Sequence, residues 1–136
     1  MKIEEIMVGD YLKITEPDKF AGFIGSVQNI GGPSKYLTMY LEPYHDVDVF
    51  IEDVEGIPLT AEILEKNFQE FLPGINLMYQ LKGPYCAMNE DGQWVFGLVK
   101  VDGENSARYP LVKISFVHQL QHALRLCGIE KEIVLP

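Results

Sequence analysis

The amino-acid sequence predicts an α+β protein. Several short segments alternate apolar and polar residues with a period of two, which is typical of half-buried strands. Two further segments have a capping residue, an apolar stripe of helical period and a terminating signal. Because the order along the chain is strands, helix, strands, helix, we expect antiparallel sheets with the helices packed against them. The 136 residues are enough to bury a core without a disulfide or a metal.

Residues 1–59 are predicted to form a small antiparallel β-barrel of the Src-homology-three-like type, because short strands alternate with Gly-rich turns. Strands are expected at residues 11–14, 23–30, 36–41 and 47–51, with a turn at residues 31–34. In residues 36–41 the side chains of Leu37, Met39 and Leu41 share the face expected to be buried. Gly25 predicts a bend or bulge within the second strand.

Residues 60–136 are predicted to form a helix, a sheet of three or four antiparallel strands and a C-terminal helix. The first helix, residues 61–68, is expected to begin after Thr60, whose hydroxyl can accept a hydrogen bond from a free backbone N–H. Strands are expected at residues 77–81, 85–88, 94–101 and 111–114, with an edge strand in the tail at 133–136. The last helix, residues 116–127, is expected to be capped by Ser115 and to end at Gly128. We expect the two subdomains to pack as one compact unit.

Three motifs give the chain a family resemblance. They are the segment E-D-V-E-G-I-P-L-T at residues 52–60, F-V-H-Q-L-Q at residues 116–121 and V-G-D-Y at residues 8–11. On these motifs the chain resembles a family of small uncharacterised proteins from gut-anaerobe bacteria and their phages and mobile elements. The resemblance implies the same architecture and an accessory role, and it implies no catalytic residue. Gly56 departs from the family pattern, in which a Pro is common, so a looser turn is expected before Ile57.

Charge narrows the classes of partner. The net charge is −9, and residues 1–72 carry all of this excess, with 14 acidic and 5 basic residues. Such a field repels nucleic-acid phosphates and attracts basic surfaces, although solubility alone would also account for it. Acidic residues near the N-terminus disfavour a signal peptide, and no apolar run approaches the ~20 residues of a membrane helix. We therefore expect a cytoplasmic protein with neither a nucleic-acid nor a membrane partner.

The candidate binding residues lie between residues 36 and 48, beside and within the acidic run at residues 42–55. They are Tyr36, Tyr40, Tyr44, Asp46 and Asp48. If the Leu37 face is buried, the tyrosines of the same strand point outward beside the carboxylates. Exposed tyrosines next to carboxylates suit a protein partner with a basic surface. The alternative is that both faces of this strand are covered by the rest of the chain.

Two other groups of residues have side chains that can bind metal ions. His118 and His122 are four residues apart on the last helix, but a solvated polar face is favoured over a zinc site. His45, Asp46 and Asp48 are favoured as a solvated strand face over a cation site. No metal or other cofactor is therefore expected.

Three functional hypotheses follow from the sequence. A protein-binding module leads, and no catalytic residue is assigned. The alternatives are a small enzyme with a site between the two halves, using Cys86, His118 or His122, and a protein that self-assembles through its sheet edges. Cys86 and Cys127 are expected to be buried free thiols.

Overall fold

The structure is a computed structural model that describes residues 2–16, 19–31, 36–70, 78–103 and 105–136. Within these residues the chain has two five-stranded antiparallel sheets and two α-helices, which confirms the α+β class. It divides into two compact units, Met1–Ile57 and Pro58–Pro136, and each unit contains one sheet. The predicted turn residues 32–34 and the predicted strand residue Leu77 lie outside the described residues.

The first unit contains a single sheet with the strand order β4-β3-β2-β1-β5. Its strands are β1 (Tyr11–Ile14), β2 (Ile24–Ile30), β3 (Tyr36–Leu41), β4 (His45–Phe50) and β5 (Val54–Gly56). A single 3-10 turn, Ile51–Asp53, connects β4 to β5. Within the described part of the unit no pairing joins the edge strands β4 and β5, so a closed barrel is not found.

One face of this sheet forms the core of the first unit. Leu37 and Met39 are fully buried and Leu41 is nearly so, as the alternation in β3 predicts. They pack with apolar side chains from the other strands, among them Leu12, Ile14, Val27, Val49 and Val54. Each large side chain removed from water in this way contributes roughly 1.5–3 kcal/mol to folding.

Gly25 has a different role from the one predicted. The bulge in β2 lies between Val27 and Asn29 in the pairing with β3, and Gly25 itself is regularly paired. A Cβ atom at Gly25 would contact the Leu41 side chain and would lie 2.8 Å from the carbonyl oxygen of Tyr40. Glycine is therefore required here because β3 passes too close for any side chain.

The second unit contains a sheet with the order β10-β9-β8-β7-β6. Its strands are β6 (Gln69–Glu70), β7 (Met78–Lys82), β8 (Tyr85–Glu90), β9 (Gln93–Asp102) and β10 (Asn105–Lys113). The prediction of three or four strands was too low, because it omitted the two-residue β6. It also predicted a strand at 111–114, whereas β10 begins at Asn105 and pairs along β9.

The tail does not form the predicted edge strand at residues 133–136. Instead, the Asn67 side-chain amide donates to the Val134 carbonyl at 2.8 Å and accepts the Val134 N–H at 2.7 Å. One side chain thus satisfies both backbone groups of Val134, which a neighbouring strand would otherwise have to pair.

Helix α1 (Ala61–Asn67) begins as predicted. The Thr60 hydroxyl accepts a hydrogen bond from the backbone N–H of Ile63 at 3.3 Å. This bond satisfies one of the N–H groups that have no partner within the helix. Leu59 before the cap and Leu64 in the helix are both buried, which fixes the direction in which the chain enters α1.

Helix α2 (Val117–Leu126) begins one residue later than predicted, with Phe116 rather than Ser115 at the N-cap. The Gln119 side-chain oxygen accepts the N–H groups of Ser115 and Phe116 at 2.6 and 3.1 Å, while the Ser115 hydroxyl accepts a bond from Gln93. The capping prediction for Ser115 was therefore wrong, because its hydroxyl is engaged by β9. The C-terminal prediction is confirmed: Gly128 has φ 69°, and the Ile129 N–H donates to the Leu124 carbonyl at 2.8 Å.

Candidate functional site

Four of the five predicted binding residues lie on one face of the β3–β4 hairpin. The register places Tyr36 opposite Phe50, Thr38 opposite Asp48 and Tyr40 opposite Asp46. These side chains point away from the face that carries the buried Leu37 and Met39, because successive residues of a strand alternate between faces. We call this surface the acidic-aromatic face; it consists of Tyr36, Thr38, Tyr40, Asp46, Asp48 and Phe50.

An aromatic pair forms one end of the acidic-aromatic face. The rings of Tyr36 and Phe50 are stacked, with centroids 4.4 Å apart and planes inclined by 29°. Tyr36 is 38% exposed and Phe50 43% exposed, so much of the pair remains in contact with water. Such a cross-strand pair contributes about 0.5–1.5 kcal/mol beyond area burial and leaves apolar ring surface in contact with water.

The carboxylates form the other part of the face. The Thr38 hydroxyl donates to Asp48 Oδ1 at 2.7 Å, which holds that carboxylate on the sheet surface. The Tyr40 hydroxyl is 3.4 Å from Glu42 Oε1, and the Tyr40 ring meets the His45 ring edge-on at 5.8 Å. Between residues 42 and 55 the chain has six acidic residues and neither Lys nor Arg. Two of these residues, Asp46 and Asp48, belong to the acidic-aromatic face, which is therefore a negative surface that also carries aromatic rings.

Tyr44 does not share these contacts. It lies in the turn between β3 and β4, where its ring contacts Phe20 at 5.2 Å and Phe23 at 5.9 Å between centroids. The Lys19 ammonium lies 5.8 Å from the Tyr44 centroid, a cation–π distance. The predicted set is thus divided between the acidic-aromatic face and a second aromatic cluster of Phe20, Phe23 and Tyr44.

Sequence reasoning missed the contribution of Phe50 and Thr38. Their alternation with the other residues was visible, since Phe50 lies two residues after Asp48 and Thr38 lies between the two tyrosines. The register of the hairpin decides which of them meet, and the residues of a single strand do not encode that register.

His118 was predicted to face solvent, and this was wrong. It is 3% exposed, its ring lies parallel to the Phe116 ring at 5.8 Å, and the His122 ring approaches it edge-on at 5.7 Å. Helix α2 also buries Gln121, so its buried side is wider than the apolar stripe alone. In the described ranges, no group of three or more His, Cys, Asp or Glu side chains is arranged to hold a metal ion.

Cys86 is buried, with its Sγ 3.6 Å from the carbonyl oxygen of Gly97. Burial raises the pKa of this thiol to about 11, and the nearby Arg108 guanidinium offsets only part of the rise. A thiol of this kind is a poor nucleophile at neutral pH, because the reactive form is the thiolate. Cys127 is also a free thiol but only half-buried, and a hydrogen bond with it raises the pKa of Tyr85.

No helix in the described ranges is both long and apolar enough to cross a membrane. The sequence matches no model of a known protein family. A search of curated proteins likewise finds no significant match.

Proposed function

We propose that this protein is a binding module that engages a basic protein surface through its acidic-aromatic face. The observation that carries the proposal is the stacked Tyr36–Phe50 pair, which is exposed beside Asp46 and Asp48 on one strand pair. Exposed aromatic rings provide the anchor area that dominates protein–protein affinity. The adjacent carboxylates provide attraction and orientation for positively charged groups.

The charge of the first unit supports a basic partner. Residues 1–57 contain 11 acidic and 4 basic residues, so the field around the unit is negative. This field raises the encounter rate with cationic surfaces and opposes the approach of nucleic-acid phosphates. We accordingly propose a protein or peptide partner and expect no tight binding of duplex DNA or RNA.

We further propose that the first unit is an open Src-homology-three-like barrel. The strand order β4-β3-β2-β1-β5, with a 3-10 turn before the last strand, supports this assignment. The three sequence motifs described above support membership of the gut-anaerobe, phage and mobile-element family, and with it an accessory role. The free thiols of Cys86 and Cys127 support a cytoplasmic location.

Equilibrium binding to a peptide array tests the proposal. The array carries Lys- and Arg-rich peptides with matched Glu-rich peptides, and the intact chain is applied at physiological salt. We expect selective capture of basic peptides and at least a ten-fold loss of affinity in the Tyr36→Ala, Tyr40→Ala double variant.

The matched control is Tyr109→Ala, which removes a half-exposed tyrosine from the second unit. Circular dichroism establishes that each variant folds. Basic-peptide affinity that the Tyr36→Ala, Tyr40→Ala variant retains, or an equal loss in Tyr109→Ala, would contradict the proposal.

A further inference from the structure

A second surface lies where the end of β10 meets α2. Strand β10 is the edge of its sheet and, along the described residues, pairs only with β9. Its side chains Tyr109, Leu111 and Val112 are half-exposed or more, and Leu126 on α2 is 88% exposed. A pocket of about 210 Å³ opens between these two elements. The apolar area left in water here is unusual for a sheet edge.

We propose that this edge binds an extended acidic peptide segment of a partner protein as an added strand, with one large apolar side chain of the segment in the pocket. This inference is independent of the acidic-aromatic face, because it concerns the second unit and a partner of opposite charge. The expected partner segment has apolar residues that alternate with carboxylates.

The backbone of β10 provides the first argument. The N–H of Ile114 donates to the Trp94 carbonyl at 2.9 Å, so the backbone at this position points toward β9. Because antiparallel ladders alternate direction residue by residue, the N–H and C=O of Lys113 point to the open side. The next outward carbonyl, that of Ser115, already accepts the Leu59 N–H at 3.0 Å, so an extended segment can pair with the Lys113 groups and must end there.

The pocket provides the second argument. Its walls are mainly apolar, from Val112, Ile114, Ala123 and Leu126, with Gln119 and His122 as polar groups. Pockets for drug-sized ligands occupy roughly 300–1,000 Å³. A volume of about 210 Å³ is smaller and suits one Leu- or Met-sized side chain. Side chains of an added strand alternate between faces, so every second residue can reach the groove.

Charge provides the third argument. Lys113 lines the pocket, and none of the other residues that line it is acidic. A carboxylate next to the bound apolar side chain would therefore meet positive charge. The acidic-aromatic face has the opposite charge, so that face would repel an acidic segment.

The geometry disfavours a second copy of β10 as the occupant. Pro110 has no N–H to donate, and the register of β10 shifts between Pro110 and Val112. Both features interrupt a continuous ladder and are common protections of sheet edges. Only the short segment after the shift remains regular, and this suits a short peptide better than a nine-residue strand.

Fluorescence anisotropy with synthetic peptides tests the inference on the intact chain. The probe is a labelled eight-residue peptide in which Glu alternates with Val and one central Val is replaced by Leu. We expect saturable binding that falls at least ten-fold in Leu126→Glu and in Lys113→Glu. A peptide with N-methylated backbone amides should lose binding by the same factor, because it cannot add as a strand.

The control variant is Val134→Glu, which places the same charge on a half-exposed valine outside the pocket and should leave binding unchanged. A peptide with Lys in place of Glu should bind the groove at least ten-fold more weakly. Any binding of that peptide to the acidic-aromatic face would be insensitive to Leu126→Glu.

Three results would overturn the inference. The first is no binding of the acidic peptide at millimolar concentration. The second is binding that the N-methylated peptide retains. The third is a dimer in sedimentation that Leu126→Glu dissociates, since the groove would then hold a second copy.

Discussion

Single side chains on the acidic-aromatic face are held in place before a partner arrives. The Thr38 hydroxyl fixes the Asp48 carboxylate at 2.7 Å, and the Phe50 ring fixes Tyr36 by stacking. Binding through these groups loses less conformational entropy than binding through mobile side chains, which costs about 0.5–1.5 kcal/mol for each immobilised side chain. The face is therefore partly pre-organised by its own residues.

Thr60 is expected to stabilise the protein only through the hydrogen bond that its hydroxyl accepts at the start of α1. Thr60→Ala removes the acceptor of the Ile63 N–H and should lower the free energy of unfolding by about 1 kcal/mol. Urea denaturation measures this difference. Thr60→Ser retains the hydroxyl and serves as the control, with stability close to that of the wild type. Equal midpoints for the wild type and Thr60→Ala would contradict the assignment.

Cys86 and Cys127 are expected to differ in reactivity. With a pKa of about 11, Cys86 is roughly 0.1% thiolate at pH 8, and it is buried as well. A thiol reagent at pH 8 should therefore label Cys127 first, and mass spectrometry of the digested protein identifies the site. In denaturant both thiols should react at similar rates. Equal labelling of the two in the folded protein would contradict the burial argument.

The raised pKa of Cys86 also makes the free energy of unfolding depend on pH. A thiol in the unfolded chain ionises near pH 8.5, whereas folded Cys86 stays protonated until about pH 11. The unfolded state therefore loses its proton first as the pH rises. The neutral thiol therefore makes its full contribution to the free energy of unfolding below about pH 8.5. This contribution is lost as the pH rises from there to about 11.

At the scale of elements, the β2–β3 pair supports the acidic-aromatic face, since β3 carries both of its tyrosines. Gly25→Ala places a methyl group against Leu41 and the Tyr40 carbonyl, which forces β2 and β3 apart. We expect a loss of about 1–3 kcal/mol, by analogy with overpacked cores. The neighbouring Ser26→Ala is the control: it removes only an exposed hydrogen bond from Gln28 and should change the free energy of unfolding by less than about 0.5 kcal/mol. Thermal melts compare the two, and equal melting temperatures would contradict the close approach.

Elements with local signals could be predicted from the sequence. The alternation in β3, the Thr60 cap and the stop at Gly128 depend on neighbouring residues, and all three are present. Predictions failed where the outcome depends on residues far away in the sequence. Ser115 is engaged by Gln93, 22 residues away, and His118 is buried on a side of α2 that the apolar stripe did not predict.

The candidate site could be predicted only where it depends on the alternation of side chains within one strand. The period of two placed Tyr36 and Tyr40 opposite the buried Leu37 face. It did not indicate that Phe50 stacks on Tyr36, because hairpin register sets that contact. Nor did it indicate that Tyr44 contacts Phe20 and Phe23, which lie more than 20 residues earlier in the chain.

At the scale of the whole molecule, the two units differ in charge. Residues 1–57 have 11 acidic and 4 basic residues, whereas residues 58–136 have 9 and 7. The acidic-aromatic face belongs to the strongly negative unit, and the β10–α2 groove belongs to the nearly balanced one. Two partners of opposite charge are thus expected to select different units of the same chain.

Association kinetics with a basic peptide from the array measure whether the carboxylates of the acidic-aromatic face attract its partner. Asp46→Asn with Asp48→Asn removes two carboxylates from the face, and Glu52→Gln with Glu55→Gln removes two exposed carboxylates outside it. We expect the first pair to slow association several-fold and to flatten its dependence on salt, with dissociation nearly unchanged. The control pair should have a clearly smaller effect. Equal effects of the two pairs, or unchanged kinetics in the first, would show that the acidic stretch is only a solvated surface.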